Sequence, residues 1–186
     1  YQWVSVEALQ AQWLIDWFKQ WFCHRDTILV KGEHEPEYFA ATDTEPAKIV
    51  FAHGFFASAL HEISHWCMAG QKRRLLNDFG YWYAPDGRNE EQQQQFEQVE
   101  ILPQAIECLL TLACNKPFSV SKDNLFADFD TSQSTFEADV QAQSVKFWQT
   151  GQKLSTDAKV LLSQLTKLRP LPLTSFDIYH NFIKVN

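Results

Sequence analysis

Apolar residues recur every three or four positions in several stretches of the chain, a spacing that predicts amphipathic helices. These stretches are 5–22, 55–70, 96–114, 136–149 and 155–168. Ser5 can cap the first helix, and Ser155 or Asp157 the last; Gly70 and Gly151 are typical of the ends of the second and fourth. In the first and last helices we expect these apolar side chains to point inward: Leu9, Trp13, Leu14, Trp17, Phe18, Trp21 and Phe22, and Val160, Leu161, Leu165 and Leu168. For the aromatic residues of the first helix, the alternative is a surface that binds a partner.

Shorter apolar runs, bounded by polar or turn-forming residues, predict strands at 27–30, 38–40 and 49–51. An aromatic run at 79–84, followed by a Pro-Asp-Gly turn, predicts a further strand. With 186 residues, 45% of them hydrophobic, the chain can bury one substantial core. We therefore predict a single helix-rich α+β domain, 1–186, in which the helix at 55–70 packs on a small sheet formed by 27–52 and 79–84.

The predicted helix at 55–70 contains the pattern His-Glu-x-x-His, with His61 and His65 four residues apart. On a helix these two residues point the same way, about 6 Å apart along the axis. Two imidazoles on one face can hold a divalent metal ion, and Glu62 can act on a metal-bound water or orient a ligand. Such patterns also arise by chance, and the alternative is a pair of hydrogen-bonded core histidines.

A row of acidic and amide residues on the helix at 96–114 offers a third ligand. Glu97, Glu100, Gln104 and Glu107 are spaced three, four and three residues apart, so they share one helix face. Carboxylates beside apolar residues are costly to bury unless a cation neutralises them. Glu100 is central in the row and has apolar residues on both sides, which makes it the first candidate ligand, and Glu97 is the second. The alternative is an acidic face in water.

The net charge of −7 argues against general binding of nucleic acids or membrane surfaces. The one compact basic cluster, 72–74, is either a solvated face or a surface that recognises an acidic partner. No run of about 18 apolar residues predicts a membrane span, and the first residues do not resemble a signal peptide. The four cysteines lack C-x-x-C spacing, which favours buried thiols in a reducing compartment such as the cytoplasm.

Two histidines and one carboxylate leave three classes of protein open. With zinc they would form a peptide hydrolase, in which Glu62 takes a proton from the metal-bound water. With iron(II) they leave open positions for dioxygen and substrate, as in non-haem oxygenases. A structural metal domain or binding module would need a fourth ligand, for which His34, His53 and Glu97 are the candidates.

The motifs HEISHW, DFGYWY, PDGR and FE-x-VE occur in this order along the chain. Together they resemble the elongation factor P hydroxylase family, over residues 28–130. The resemblance implies an iron(II)-dependent oxidoreductase that uses dioxygen to hydroxylate the lysylated lysine of this translation factor. It matches His61 and His65 to the family's histidine ligands and Glu100 to its carboxylate ligand.

The same resemblance implies a cleft through which the modified lysine reaches the metal. Aromatic faces and carboxylates suit the walls of such a cleft because they attract ammonium groups. The residues we expect there are Tyr81, Trp82, Tyr83, Glu62 and Asp86. Lys72, Arg73 and Arg74 are expected to meet acidic surface on the partner. Under this hypothesis the enzyme is cytoplasmic and binds neither nucleic acid nor membrane. A zinc-dependent metallopeptidase remains the alternative function.

Overall fold

The computed structural model describes residues 5–22, 26–81, 87–121, 134–169 and 171–180. Contacts within the chain divide it into two compact units, 1–82 and 83–186. The first unit combines helices with a three-stranded sheet, and the described part of the second is dominated by helices. The helix-rich α+β class is therefore confirmed, while the single catalytic domain stays a prediction.

The first unit combines two helices with a small mixed sheet. Its elements, in chain order, are α1 (Val6–Phe22), β1 (Thr27–Lys31), β2 (Glu37–Phe39), β3 (Ala47–Phe51) and α2 (Phe56–Arg73). The strand order is β1-β3-β2, with β1 parallel and β2 antiparallel to β3. Ala47, Ile49 and Phe51 alternate with less buried residues along β3, which is the pattern of a strand with one covered face.

The core of this unit is built around Trp66, a fully buried residue of α2. The rings of Phe18 and Phe22, from α1, meet its indole edge-on at centroid distances of 5.5 Å and 5.2 Å. Edge-to-face contacts of this kind stabilise aromatic pairs by about 0.5–1.5 kcal/mol beyond the burial of their surface. They fix α2 on α1, and α2 also packs against β3.

Two of the apolar positions predicted to point inward on α1 are exposed. Leu9 is 58% exposed and Trp13 is 42% exposed, whereas Leu14, Phe18 and Phe22 are buried. A helix can bury only one face, and the three-to-four spacing of the buried residues runs through Ala11. The prediction for Leu9 and Trp13 was therefore wrong. The prediction of Ser5 as the cap is confirmed, since its hydroxyl oxygen accepts a hydrogen bond from the backbone N–H of Ala8 at 3.1 Å.

The strand predicted at 79–84 does not form in its described part. Residues Asn77–Gly80 make a short 3-10 turn in which Asp78 and Phe79 have φ angles of 49° and 58°. These left-handed angles are incompatible with a strand. The Phe79 ring is nevertheless buried, because it stacks on Tyr38 of β2 with a centroid distance of 4.1 Å. The aromatic run therefore indicated a buried side chain correctly but a strand wrongly. Residues 82–84 lie outside the described part of the chain.

The second unit contains the long helix α3 and three helices that pack around it. They are α3 (Glu90–Ala113), α4 (Phe136–Thr150), α5 (Thr156–Thr166) and α6 (Ser175–His180). Asn89 and Gln92 form a reciprocal capping box at the start of α3. Gly151 ends α4, as predicted, and has the left-handed conformation. In the described residues, no helix combines the length and the apolar character that crossing a membrane requires.

The predicted helix at 155–168 is confirmed as α5, with Ser155 as its cap. Leu161 and Leu165 are buried as expected. Val160 and Leu168 were wrongly placed inside, being 36% and 60% exposed. The reason is again that only one face of the helix is covered, and Leu168 lies beyond its last turn.

Candidate metal centre

His61 and His65 lie one turn apart on α2 and present their rings to each other. The ring centroids are 4.8 Å apart, the ring planes are inclined at 58°, and neither residue is exposed. The helical spacing of the His-Glu-x-x-His pattern therefore brings the two imidazoles together, as the sequence predicts. A pair of imidazoles at this spacing can supply two nitrogen ligands to one ion.

The N-terminal end of α2 is held by a side chain from another helix. Its N-cap residue, Phe55, supplies no side-chain hydrogen bond. Instead, the carboxylate of Glu7 in α1 accepts a hydrogen bond from the backbone N–H of Phe56 at 2.7 Å. A carboxylate at this end satisfies one of the free N–H groups and complements the positive end of the helix dipole. The contact fixes the start of the helix that carries both histidines.

The C-terminal end of α2 is held by Arg74. Gly70 breaks the regular helix with φ 73° and ψ 173°, which agrees with its predicted role as a helix end. The Arg74 Nε–H group donates to the carbonyl oxygen of Trp66 at 2.9 Å, and the guanidinium lies 3.6 Å from the Trp66 ring centroid. Arg74 thus covers the carbonyl and the ring of the residue that directly follows His65.

Glu100 lies near the middle of α3 and is only 2% exposed. The side-chain amide of Gln104, one turn further along the helix, donates to Glu100 Oε2 at 3.2 Å. Glu100 is therefore a buried carboxylate held by a neutral donor. Burial of a carboxylate is unfavourable without a compensating partner, which makes this residue a good candidate for binding a cation.

Glu100 belongs to a stripe of buried polar residues along α3. Its members are Gln93, Glu97, Glu100, Gln104 and Glu107, and none of them is more than 8% exposed. The row predicted from Glu97 to Glu107 is therefore not an acidic face in water. Its members are three or four residues apart, which is the spacing of the apolar residues that normally line the buried face of a helix.

Glu97, the second candidate ligand, is bound elsewhere. Both of its carboxylate oxygens accept from the hydroxyl of Ser134, at 3.1 Å and 3.0 Å. The same hydroxyl oxygen accepts from the backbone N–H of Phe136, the first residue of α4, at 3.2 Å. Glu97 therefore binds the hydroxyl group that accepts a hydrogen bond at the start of α4, and this role is structural.

His61, His65 and Glu100 form a group that could hold a metal ion. One nitrogen from each histidine and one carboxylate oxygen of Glu100 all lie within 4.8 Å of one another. Two imidazoles and one carboxylate suit zinc or iron(II).

The proposed fourth ligands of a closed structural site do not join this group. Glu97 is engaged with Ser134, and His34 and His53 are exposed. His53 has a left-handed φ of 52° and its ring lies 5.9 Å from that of Phe55. Within the described residues, the group of three contains no cysteine.

The described cysteines are free thiols, as expected. Burial raises the pKa of Cys108 to about 12 and the pKa of Cys114 to about 12. Both groups therefore remain protonated at neutral pH, whereas a metal-binding cysteine must be a thiolate. Cys67 is also buried, and Cys23 lies outside the described residues.

The residues expected to contact the substrate are only partly described. Tyr81 is 41% exposed, and the Arg73 guanidinium lies 4.1 Å from its ring centroid. Arg73 also donates to the backbone carbonyl of Phe79 at 3.1 Å. Glu62 is partly buried on α2, next to His61. Their roles stay predictions, and the predicted wall residues Trp82, Tyr83 and Asp86 lie outside the described part of the chain.

Sequence reasoning missed the residues that support this group. Glu7 and Phe56 are 49 positions apart, so no local pattern links them. The contact of Gln104 with Glu100 was accessible from the four-residue spacing, but its contacts with Ser121 were not. Supporting residues of this kind depend on tertiary structure, which periodicity does not encode.

The chain is similar in sequence to known proteins of one family. The family model described as Elongation factor P hydroxylase matches residues 17–173. A curated protein of Haemophilus influenzae, named Elongation factor P lysine hydroxylase, is 43% identical to the chain over 156 residues. That alignment covers 82% of the chain and 87% of the Haemophilus protein.

Proposed function

Because the chain belongs to the elongation factor P hydroxylase family, we propose that it hydroxylates the lysylated lysine of elongation factor P. The proposed enzyme is a cytoplasmic, iron(II)-dependent oxidoreductase that uses dioxygen. The observation that carries the metal dependence is the group of His61, His65 and Glu100. The similarity to the Haemophilus hydroxylase supports the choice of substrate.

The donor set fits iron(II). Two histidines and one carboxylate are the ligands of many non-haem iron oxygenases, in which the remaining coordination positions stay open. When bound, the metal supplies the activation of dioxygen, which the protein's own side chains cannot perform. Overall, one oxygen atom of dioxygen enters a C–H bond, and the other becomes water with two electrons and two protons from an external reductant.

The residues of the chain hold and shield this centre. His61 and His65 supply neutral nitrogen ligands from a helix that Glu7 and Arg74 fix at its two ends. Glu100 supplies a negative charge from a side chain that is only 2% exposed.

The substrate contacts proposed here follow from charge. Glu62 and Asp86 can attract the ammonium groups of a lysylated lysine, and Tyr81 and Trp82 can cover its aliphatic chain. The exposed side chain of Arg73 can meet acidic surface on elongation factor P. Arg74 is less suited to that role, since its guanidinium already lies on Trp66.

A zinc-dependent peptidase is the second candidate function, and the position of Glu62 favours it. In His-Glu-x-x-His peptidases the glutamate beside the first histidine serves as general base. Such an enzyme would cleave a peptide bond and need no dioxygen. The two functions therefore differ in metal, in co-substrate and in product.

Elemental analysis of freshly purified protein, followed by mass spectrometry of lysylated elongation factor P incubated with it, tests the proposal. We expect about one iron per chain and a mass gain of one oxygen atom on the lysylated residue, dependent on air and a reductant. Peptide cleavage by a zinc-loaded protein, without a mass gain of oxygen, would instead support the second candidate.

A further inference from the structure

The side-chain amide of Gln104 is fully buried and contacts two parts of the chain, Glu100 and the backbone of Ser121. Its Nε2 group donates to Glu100 Oε2 at 3.2 Å and to the backbone oxygen of Ser121 at 2.7 Å. Its Oε1 atom accepts from the backbone N–H of Ser121 at 2.9 Å. The side chain is 0% exposed. A single amide thus links the candidate metal ligand to the backbone 17 residues away.

We propose that Gln104 is a positioning residue for Glu100, an inference that rests on the metal-binding role proposed for that carboxylate. Its N–H group holds one carboxylate oxygen in place and thereby fixes the rotamer that Glu100 presents to the ion. A carboxylate has about four lone-pair sites. One such bond therefore leaves the capacity to bind a metal.

The two bonds to Ser121 determine which way the amide faces. The N–H of Ser121 requires an acceptor and its carbonyl requires a donor, so exchanging the oxygen and nitrogen of Gln104 would lose both bonds. The amide orientation that keeps both bonds also directs its N–H group toward Glu100. Both bonds use backbone groups of Ser121.

A neutral donor suits this position better than a cation. Lys or Arg beside Glu100 would neutralise the carboxylate and compete with the metal for its charge. An amide orients the carboxylate and leaves its full negative charge available. Hydrogen bonds of this kind to metal ligands typically alter metal affinity by about 10- to 100-fold when removed.

Glu97 and Ser134 provide a useful contrast on the same helix. There the carboxylate accepts from a hydroxyl that is itself bonded to the start of α4. Glu97 is absent from the group that could hold a metal. Glu97 and Glu100 therefore differ in their partners, and of these two only Glu100, which accepts from an amide that is also bonded to backbone groups, belongs to the candidate centre.

The test uses cobalt(II) as a spectroscopic probe for the metal, titrated into the full chain and followed by its visible absorption. The variants are Gln104→Met, which removes the amide but keeps an unbranched side chain, Glu100→Gln, and the double variant. We expect Gln104→Met to weaken cobalt(II) binding about 10- to 100-fold and to change the absorption bands. In the Glu100→Gln background, Gln104→Met should have no further effect on affinity.

Gln93→Met is the matched control, since Gln93 is a second buried glutamine of α3 and accepts from Arg88 Nε at 3.1 Å. It should bind cobalt(II) as the wild type does. Unchanged affinity in Gln104→Met, or an equal loss with and without Glu100, would overturn the proposal. Neither the cobalt(II) affinity nor the absorption spectrum requires elongation factor P. A failure of the hydroxylase proposal would therefore be seen separately, as an absence of hydroxylated product although the metal still binds.

If Gln104→Met does not fold, a measurement on the wild type tests the same proposal. Hydrogen exchange of the peptide containing 118–121 should slow when cobalt(II) binds, because ordering Glu100 also orders Gln104 and its bond to the Ser121 amide. The change should vanish in Glu100→Gln. Exchange that is the same with and without the metal would contradict the link.

Discussion

The imidazole rings of His61 and His65 lie 4.8 Å apart on consecutive turns of α2, inclined at 58°. The separation follows from helix geometry alone. Two residues that are not candidate ligands contact the same helix, Glu7 at one end and Arg74 near the other. Both kinds of residue can be tested.

The ligand assignment predicts that three separate substitutions abolish metal binding. His61→Ala, His65→Ala and Glu100→Ala should each lose iron and hydroxylation while far-UV circular dichroism stays unchanged, because each removes one donor from the group of three. Metal content by elemental analysis measures the effect. Glu97→Ala is the control and should keep its iron. A Glu97→Ala protein without metal, beside a Glu100→Ala protein with full occupancy, would reverse the assignment.

The role of Glu62 separates the two candidate functions. In a hydroxylase it orients a substrate amine, so we expect Glu62→Gln to keep its metal and part of its activity, with the larger effect on KM. In a peptidase it is the general base, and its loss would remove essentially all turnover. Steady-state kinetics with lysylated elongation factor P distinguish the outcomes, since complete loss of kcat with metal retained contradicts an orienting role.

Glu7 should stabilise the protein by capping α2. Glu7→Ala removes the acceptor for the Phe56 N–H group, which should lower the free energy of unfolding by about 1 kcal/mol. Urea denaturation measures this change. Glu35→Ala, which alters an exposed glutamate of the same unit, is the matched control and should have little effect. Equal stabilities of the two variants would show that the contact does not hold the helix.

Arg73 and Arg74 are neighbours with different predicted roles. Arg74→Ala should lower the free energy of unfolding by about 2 kcal/mol, since it removes a charged hydrogen bond and a cation–π contact with Trp66. Arg73→Ala should chiefly weaken binding to elongation factor P, measured by calorimetry. Lys72→Ala is an exposed control for stability. If Arg74→Ala is as stable as that control, the structural role of Arg74 is wrong.

The sequence predicted most of the fold because helix signals are local. The cap at Ser155 and the stop at Gly151 depend on residues within one turn, and both were predicted correctly. The errors at Leu9 and Val160 arose because spacing shows that a helix has an apolar face but not how wide the covered part is. The error at Phe79 arose because a tertiary contact with Tyr38 holds it in a left-handed turn.

The candidate ligands could also be predicted from local helix signals, whereas the residues that support them could not. Two helical spacings, from His61 to His65 and along the row of α3, supplied the candidates that include the three residues grouped in the structure. Glu100 was preferred to Glu97 because it is central in the row and has apolar neighbours, and the family resemblance matched it to the carboxylate ligand. The links from Glu7 to Phe56 and from Gln104 to Ser121 join distant parts of the sequence. They could be found only from the tertiary structure.

The most direct test is to reconstitute the protein with iron(II) without air and then expose it to isotope-labelled dioxygen with a reductant and lysylated elongation factor P. Mass spectrometry of the factor should find one labelled oxygen atom on the lysylated lysine with the wild type and none with Glu100→Ala. An unmodified factor with fully iron-loaded wild type, or equal labelling by both proteins, would contradict the account.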